Sequence, residues 1–131
     1  VIGKLFPKVK KDDCKKFILS AEKRKLVIID HLGTPILECI LNNIPLIIYF
    51  DLTKVLINDK GKEAFALLKK VGIFFDNPED AAKKVMAVYD DPIKWWFSED
   101  IQIARQYMCD NFIHYSENWQ DEWLEELLKE N

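Results

Sequence analysis

The residues with the clearest potential for chemistry lie in one short segment, DHLGTPILE (30–38). It follows an aliphatic run and contains a histidine (His31), a glycine (Gly33), a threonine–proline pair that begins at Thr34, and a carboxylate (Glu38). Threonine–proline is typical of a helix start, and the backbone N–H groups of a first helical turn attract anions such as phosphate. Gly33 would allow a ligand to approach the backbone closely. Glu38, one turn further on, is placed to accept hydrogen bonds from a ribose beside that phosphate.

The same segment also has a purely structural interpretation. A threonine–proline pair is ordinary capping chemistry, and a histidine after a strand often only hydrogen-bonds the turn in which it lies. The chain has no G-x-G-x-x-G sequence, no Walker-type lysine motif and no nucleophile elbow. Dinucleotide binding, P-loop chemistry and hydrolysis by a serine or cysteine nucleophile are therefore not indicated.

The hydrophobic pattern predicts the elements that must position this segment. KLVIID (25–30) and IPLIIYF (44–50) are β-branched runs without polar alternation, which is typical of parallel strands covered on both faces. A helix over 34–43 joins them in a right-handed crossover, and a helix over 60–71 leads to a short strand at 72–76. The predicted fold class is α/β, a Rossmann-like half with a short parallel sheet (βαβαβ) followed by a helical C-terminal tail.

Helical spacing predicts which residues face the core and where the other helices lie. The expected inward residues are Leu37, Ile40, Leu41, Phe65, Leu68 and Val71 in the two crossover helices. Asn77 and the Pro-Glu-Asp after it form a helix start, whose apolar face is expected to be Ala82, Val85, Met86 and Tyr89. Pro92 marks a break. Further helices are predicted over 12–23, from Ser98 to about Phe112, and from Ser116 to about Lys129.

Composition limits the class of protein. The 131 residues are 49% apolar and 31% charged, which suits a single domain with a substantial core. A net charge of −3, from 19 basic and 22 acidic residues, argues against nucleic acid or an anionic membrane surface as the main partner. Cys14, Cys39 and Cys109 suit neither a disulfide framework nor a C-x-x-C metal site, so we expect reduced thiols in a cytoplasmic protein without a transmembrane segment. The chain lacks an initiator methionine, and we expect it to begin inside a larger protein.

The run DHLGTPILECILNNIPLIIYFD (30–51) resembles the donor-site half of glycosyltransferases of the GT-B type. In those enzymes a strand ends in a short turn with histidine or glycine, a helix follows with a glutamate one turn in, and N-x-P precedes the next strand. The later run FALLKKVGIFFDNPEDAAKKVMAVYDDPIKWW (65–96) resembles the C-terminal end of a family of transferases associated with bacterial surface-carbohydrate synthesis. Together with IQIARQYMCDNF and the terminal tryptophans, the resemblance extends over residues 20–125.

The resemblance implies a domain that binds a nucleotide-sugar donor. It implies six donor-binding residues: His31, Gly33, Thr34, Glu38, Asp51 and Asn58. By position, the first three would contact the diphosphate or the sugar, Glu38 the ribose, and Asp51 the border of the same cleft. Asn58 corresponds loosely to polar residues that contact the donor in relatives. Its loop, LTKVLINDK (52–60), departs from the family, which is expected to carry more Trp, Glu and Arg there.

On this interpretation, residues 1–131 are the C-terminal domain of a two-domain glycosyltransferase of surface polysaccharide synthesis. The domain would be inactive without its N-terminal acceptor domain, and the resemblance implies no metal and no cofactor besides the nucleotide-sugar substrate. Trp119, Trp123 and Leu127 share a helical stripe, which is typical of a docking face. That stripe favours a homodimer or, as the alternative function, a non-catalytic α/β module that binds a protein partner. Trp95–Phe97 would be a sugar-stacking platform or, as we favour, part of the core.

Overall fold

The computed structural model of the chain describes residues 8–113 and, beyond them, the helical residues Asp121, Leu124 and Leu128. Its elements in chain order are helix α1 (Phe17–Ala21), strand β1 (Val27–Ile29), α2 (Thr34–Leu41), β2 (Leu46–Tyr49), a 3-10 turn (Leu52–Lys54), α3 (Asp59–Val71), β3 (Phe74–Phe75), α4 (Pro78–Val88), α5 (Pro92–Trp96) and α6 (Glu99–Phe112). The predicted last helix and the stripe of Trp119, Trp123 and Leu127 fall outside the described residues.

The three strands form one parallel sheet in the order β1-β2-β3. Val27 lies opposite Leu46, and Ile48 lies opposite Phe74. Each strand is followed by a helix, so the crossovers place the start of each helix at the carboxyl edge of the sheet. The predicted α/β class, the parallel pairing and the neighbouring strands are confirmed, although each strand is shorter than its hydrophobic run.

Strand β2 is the centre of the core. Leu46, Ile47 and Ile48 have no exposed surface, and successive side chains point to opposite faces of the sheet. Leu46 and Ile48 belong to the larger cluster, formed with α2, α3, α5 and α6. Ile47 packs with Ala81 and Val88 of α4 on the other face. Helices therefore cover β2 on both faces, as its uninterrupted apolar sequence predicts.

Strand β1 differs from this prediction. Val27 and Ile29 are buried, but the Ile28 side chain between them is 50% exposed. Helix α4 packs on β2 and β3, so the face of β1 that carries Ile28 has no helix over it among the described elements. The expectation that both long runs are covered on both faces is correct for β2 and wrong for β1.

Three phenylalanines join the central strand to the elements beside it. The ring centroid of Phe50 lies 5.3 Å from that of Phe65 on α3 and 4.9 Å from that of Phe74 on β3. Phe65 and Phe74 are 5.1 Å apart at an interplanar angle of 64°. Such tilted and edge-to-face contacts are favourable beyond the burial of area alone. The cluster fixes the start of α3 against the carboxyl edge of the sheet.

A half-buried polar network fixes the turn between α2 and β2. Asn43 has a left-handed backbone (φ 56°), and its Oδ1 accepts hydrogen bonds from the indole Nε1 of Trp96 at 2.6 Å and from Nε2 of Gln102 at 3.1 Å. The Asn43 Nδ2 donates in return to Oε1 of Gln102 at 3.2 Å. Trp96 has no exposed surface, which confirms its place in the core and excludes it as a sugar-stacking residue.

Helix α6 is also tied directly to the end of α2. Arg105 donates from Nε to the carbonyl oxygen of Ile40 at 2.7 Å and from Nη2 to that of Leu41 at 3.0 Å. These carbonyls lack partners within the helix, so a guanidinium there satisfies them and complements the helix dipole. Arg105 and the Asn43 network together hold α6 across the end of α2.

Several local expectations are wrong. The predicted helix over 12–23 forms only at Phe17–Ala21, because the Asp12 carboxylate accepts hydrogen bonds from the Cys14 amide and from Arg24 and ties up the preceding chain. Pro92 begins α5 instead of marking only a break. The inward faces also differ. In α2 the buried residues are Ile36, Cys39 and Ile40, with Leu41 exposed; in α4 they are Ala81 and Val88, with Ala82, Met86 and Tyr89 exposed.

The Asn43 network yields a stability prediction. Asn43→Gly keeps the left-handed backbone accessible but leaves the indole N–H of Trp96 without its acceptor, so we expect a loss of about 1–3 kcal/mol in the free energy of unfolding. Asn43→Ala adds the cost of a left-handed alanine, and we expect it to lose about 1 kcal/mol more. Urea denaturation measures both. An unchanged midpoint for Asn43→Gly would contradict the role given to the side chain.

Candidate functional site

A pocket of about 420 Å³ opens at the carboxyl edge of the sheet, between the starts of α2 and α3. Its walls come from four parts of the chain: the turn after β1, α2, the connection to α3 with the start of α3, and the end of α6. The residues that line it are Leu32, Gly33, Ile36, Leu37, Leu56, Ile57, Asn58, Gly61, Ala64, Phe65, Met108 and Phe112. Ligand sites of open α/β sheets lie at this edge, which makes the pocket the candidate site.

Gly33 is the N-cap of α2 and lines the pocket. Thr34 is the first residue of the helix and makes no side-chain cap, so the prediction that Thr34 caps α2 is wrong. The Gly33 backbone is extended (φ −179°), so any residue can adopt it. A Cβ there would lie 3.3 Å from Cδ2 of the exposed His31 ring, which would have to shift by a few tenths of an ångström. Without a cap side chain, the Thr34 amide at the start of α2 remains open to a ligand. Pro35 has no N–H, and the Ile36 amide donates to the Gly33 carbonyl.

His31 lies on the rim of this site. Its Nδ1 is 3.1 Å from Oδ1 of Asp30, and both side chains are largely exposed. The Asp30 carboxylate accepts a hydrogen bond from Nδ1–H, which leaves Nε2 as the ring nitrogen directed elsewhere. The structure thus brings His31 beside Gly33 at the start of α2, although its ring does not line the pocket.

Glu38 and Thr34 share one face of α2, adjacent to the face that lines the pocket. Glu38 is half-buried, and its carboxylate lies outside the pocket lining. Its neighbour Cys39 is fully buried, and burial, assisted by the Glu38 charge, raises the pKa of the Cys39 thiol to about 12. Cys39 is therefore a packing residue and not a nucleophile.

The Asp51 carboxylate is hydrogen-bonded within the turn that follows β2. Its Oδ1 accepts hydrogen bonds from the Thr53 hydroxyl at 2.6 Å and the Thr53 amide at 3.0 Å, and Lys54 Nζ lies 3.8 Å from Oδ2. The hydroxyl bond, then the amide bond, hold the pKa of Asp51 below its usual range. The residue shapes the start of the connection to α3 and does not line the pocket.

Asn58 is the N-cap of α3, with Oδ1 accepting a hydrogen bond from the Gly61 amide at 2.8 Å. It lines the pocket opposite Gly33, so these two of the six predicted residues share its wall. His31 and Thr34 belong to the same edge, whereas the side chains of Glu38 and Asp51 do not line the pocket. The N-caps of two helices therefore meet at one pocket, and the positive ends of both helix dipoles lie there.

Sequence reasoning missed most of the apolar wall, in particular the contact between Gly61 and Ile57. Gly61 is buried in the first turn of α3, where a Cβ would overlap Cγ1 of Ile57 and lie 2.7 Å from its Cδ1. A glycine inside a strongly helical pattern was the available signal, since it carries a cost relative to alanine. On α6, Met108 and Phe112 lie one helical turn apart and also belong to the wall.

The contact between Gly61 and Ile57 predicts the effect of a substitution. Glycine-to-alanine in a helix normally stabilises by about 0.5–1 kcal/mol. Gly61→Ala should instead lower the free energy of unfolding by about 1–3 kcal/mol, because Ile57 must move out of a packed position. In an Ile57→Ala background the overlap is gone, and the same change should become stabilising. Chemical denaturation of the unchanged chain, the two single variants and the double variant gives a double-mutant cycle. A stabilising Gly61→Ala in the otherwise unchanged chain would contradict the contact.

The part of the chain that the structure describes contains no group of three or more His, Cys, Asp or Glu side chains placed to hold a metal ion. In that same part, no helix combines the length and apolarity needed to cross a membrane.

The parallel α/β sheet thus carries a ligand-sized pocket at its carboxyl edge, the place where ligands of open α/β folds bind. The chain belongs to the LIC12162 family of transferases, whose family model matches residues 1–127. No curated protein and no solved structure matches the chain. The predicted likeness to a transferase family is thereby confirmed, whereas the GT-B architecture and the link to surface carbohydrate stay predictions.

Proposed function

We propose that this chain is the nucleotide-sugar-binding domain of a glycosyltransferase of the GT-B type that acts in surface polysaccharide synthesis. Membership of a transferase family supports the reaction class. The observation that carries the proposal is the meeting of two helix N-caps, Gly33 and Asn58, at one pocket beyond the carboxyl ends of β1 and β2. Such a place favours a negatively charged group.

The proposed donor lies along the start of α2. Its diphosphate meets the amide of Thr34, which precedes the hydrogen-bond ladder of the helix, and the Nε2 side of His31. Pro35 has no N–H, and the Ile36 amide donates to the Gly33 carbonyl at 3.2 Å, so a second donor is needed. In the proposed complex this donor is the His31 imidazolium, whose Nδ1–H donates to Asp30 and whose Nε2–H is left for the diphosphate. Glu38, one turn along α2, then accepts hydrogen bonds from the ribose hydroxyls. Asp51 and Asn58 bound the cleft on the side of β2 and α3.

On this proposal the domain alone performs no transfer. Transfer in a GT-B enzyme takes place between two domains, and a second domain would bring the acceptor hydroxyl to the anomeric carbon of the bound sugar. Charge on the leaving diphosphate would be stabilised by helix N-termini and a histidine, without a requirement for metal. The domain's own contribution is to bind and orient the donor.

The ribose contact is tested with Glu38→Ala. Loss of a charged hydrogen-bond partner should weaken binding of a nucleoside diphosphate by about 1–3 kcal/mol, while inorganic pyrophosphate, which has no ribose, should be affected much less. Calorimetry with both ligands measures the difference. Glu63→Ala, which removes an exposed carboxylate from the nearby α3, is the matched control for a general charge effect. Equal losses for both ligands in Glu38→Ala would remove the ribose role.

The diphosphate contact is tested with Gly33→Val. A valine side chain at this N-cap would crowd the His31 ring and cover the start of α2, so binding of nucleoside diphosphate and pyrophosphate should fall at least tenfold. Helix content, followed by circular dichroism, should stay unchanged, because the Gly33 backbone is extended and open to any residue. Undiminished binding of both ligands in Gly33→Val would exclude this turn as the anion site.

Absence of binding to the unchanged chain at millimolar nucleotide would favour the protein-interaction alternative.

A further inference from the structure

The pocket between α2 and α3 has a wall of almost pure hydrocarbon. Among the described residues that line it, the sole polar side chain is that of Asn58, and its Oδ1 already accepts a hydrogen bond from the Gly61 amide at 2.8 Å. Deep in the pocket the wall is formed by Ala64 and Phe65 of α3 and Met108 of α6, each of which is buried. The pocket itself therefore offers little hydrogen bonding to a ligand.

This wall selects against the polar parts of a nucleotide-sugar. A base edge, a ribose or a hexose placed there would lose its hydrogen bonds to water without replacement, which is unfavourable. A hydrocarbon chain loses nothing and gains from burial. The pocket volume of about 420 Å³ lies within the range of small-molecule sites. The occupant that fits this chemistry is an aliphatic chain.

The mouth of the pocket adds an apolar tip and a cation. Leu56, on the connection before α3, lines the pocket while its side chain is fully exposed to solvent. Lys60 lies one turn before Ala64, on the same face of α3, and its Nζ is 5.5 Å from the ring centroid of Phe112. A lysine in a first helical turn faces the positive end of the dipole, so its placement is locally unfavourable. It puts a positive charge where an anionic head group would emerge.

We infer that the pocket binds the aliphatic chain of an amphiphile whose anionic head lies beside Lys60. In the transferase this molecule is an acceptor that contacts both domains: its aliphatic chain lies in this pocket, and the second domain holds its hydroxyl. That assignment rests on the proposed function, whereas binding of the aliphatic chain does not. The head then lies next to the start of α2, where the donor diphosphate is placed. Donor and acceptor share the carboxyl edge of one sheet, the donor on its polar rim and the acceptor chain in its apolar pocket.

The probes are n-alkyl phosphates from hexyl to decyl, each below its micellar concentration, titrated into the chain by calorimetry. Each added methylene should tighten binding about fourfold until the pocket is full. Inorganic phosphate and uridine should bind at least a hundredfold more weakly than decyl phosphate. Affinity that does not depend on chain length, or uridine binding more tightly than decyl phosphate, would overturn the inference.

Two variants and one control, all at exposed positions, test the site without disturbing the fold. Leu56→Asp should weaken the binding of decyl phosphate at least tenfold. The control Met86→Asp, at another exposed apolar position on α4, should leave that affinity unchanged. Lys60→Gln should weaken decyl phosphate about three- to tenfold and leave decanol unaffected. Equal effects of Leu56→Asp and Met86→Asp would contradict a site in this pocket.

A bilayer surface is the competing source of aliphatic chains. One outcome is that the protein cosediments with phosphatidylcholine or phosphatidylglycerol vesicles and shows no binding to monomeric alkyl phosphates. In that case the apolar mouth is a membrane-docking surface and the inference fails. Nucleoside diphosphate is titrated separately in the same variants. Loss of nucleotide binding alone, with chain-length dependence kept, would contradict the donor proposal and leave the aliphatic site standing.

Discussion

The complete burial of β2 is the constraint on which the rest of the structure depends. A strand with Leu46, Ile47 and Ile48 all inaccessible needs helices on both faces, and a parallel neighbour on each side satisfies its backbone. Right-handed crossovers then oblige the helices after β1 and β2 to begin at the same edge of the sheet. The meeting of Gly33 and Asn58 at one pocket follows from that geometry, because each is the N-cap of one of these helices.

The pocket also depends on elements far from it in sequence. Phe112 and Met108 can form its wall only because α6 is held across the end of α2 by Arg105 and by the contact of Gln102 with Asn43. These are charged or amide contacts to backbone carbonyls and to a left-handed turn, whose directionality fixes the position of a helix more narrowly than apolar packing does. The turn sequence Asn-Asn-x-Pro thus has a structural role, in addition to its resemblance to donor-site sequences.

Polar and apolar chemistry are separated along the candidate site. The rim beside α2 presents the open amide of Thr34 and the imidazole of His31, whereas the described side chains that line the pocket behind it are hydrocarbon apart from Asn58. An enzyme that joins a water-soluble donor to an amphiphilic acceptor requires such a division, since each substrate must be desolvated on a different side of the reacting bond. The proposed donor and the proposed aliphatic chain therefore occupy adjoining parts of one edge of the sheet, and each contacts different residues there.

Local sequence signals were enough to predict the parallel α/β class, the crossover helix that begins at Thr34 and the helix starts at Asn77 and Ser98. These signals are β-branched runs, helical spacing, proline and cap residues, all of which act within a few residues. The Asn77 side chain does cap its helix, whereas Ser98 is an N-cap without a side-chain hydrogen bond to the helix. The position of the candidate site at the edge that carries Gly33 and Asn58 follows from the same signals, because topology fixes where strand ends meet.

The side chains that occupy that edge depend on packing between elements distant in the sequence. Burial of Ile36 in place of Leu41, and of Ala81 in place of Ala82, depends on where neighbouring helices cross, which helical spacing leaves open by one residue. The hydroxyl of Thr53 donates a hydrogen bond to Asp51, and the sequence does not specify this acceptor among the several that are close along the chain. The apolar wall is formed by residues 32–37, 56–65 and 108–112, which only packing brings together. No short-range pattern in the sequence encodes contacts between segments so far apart in the chain.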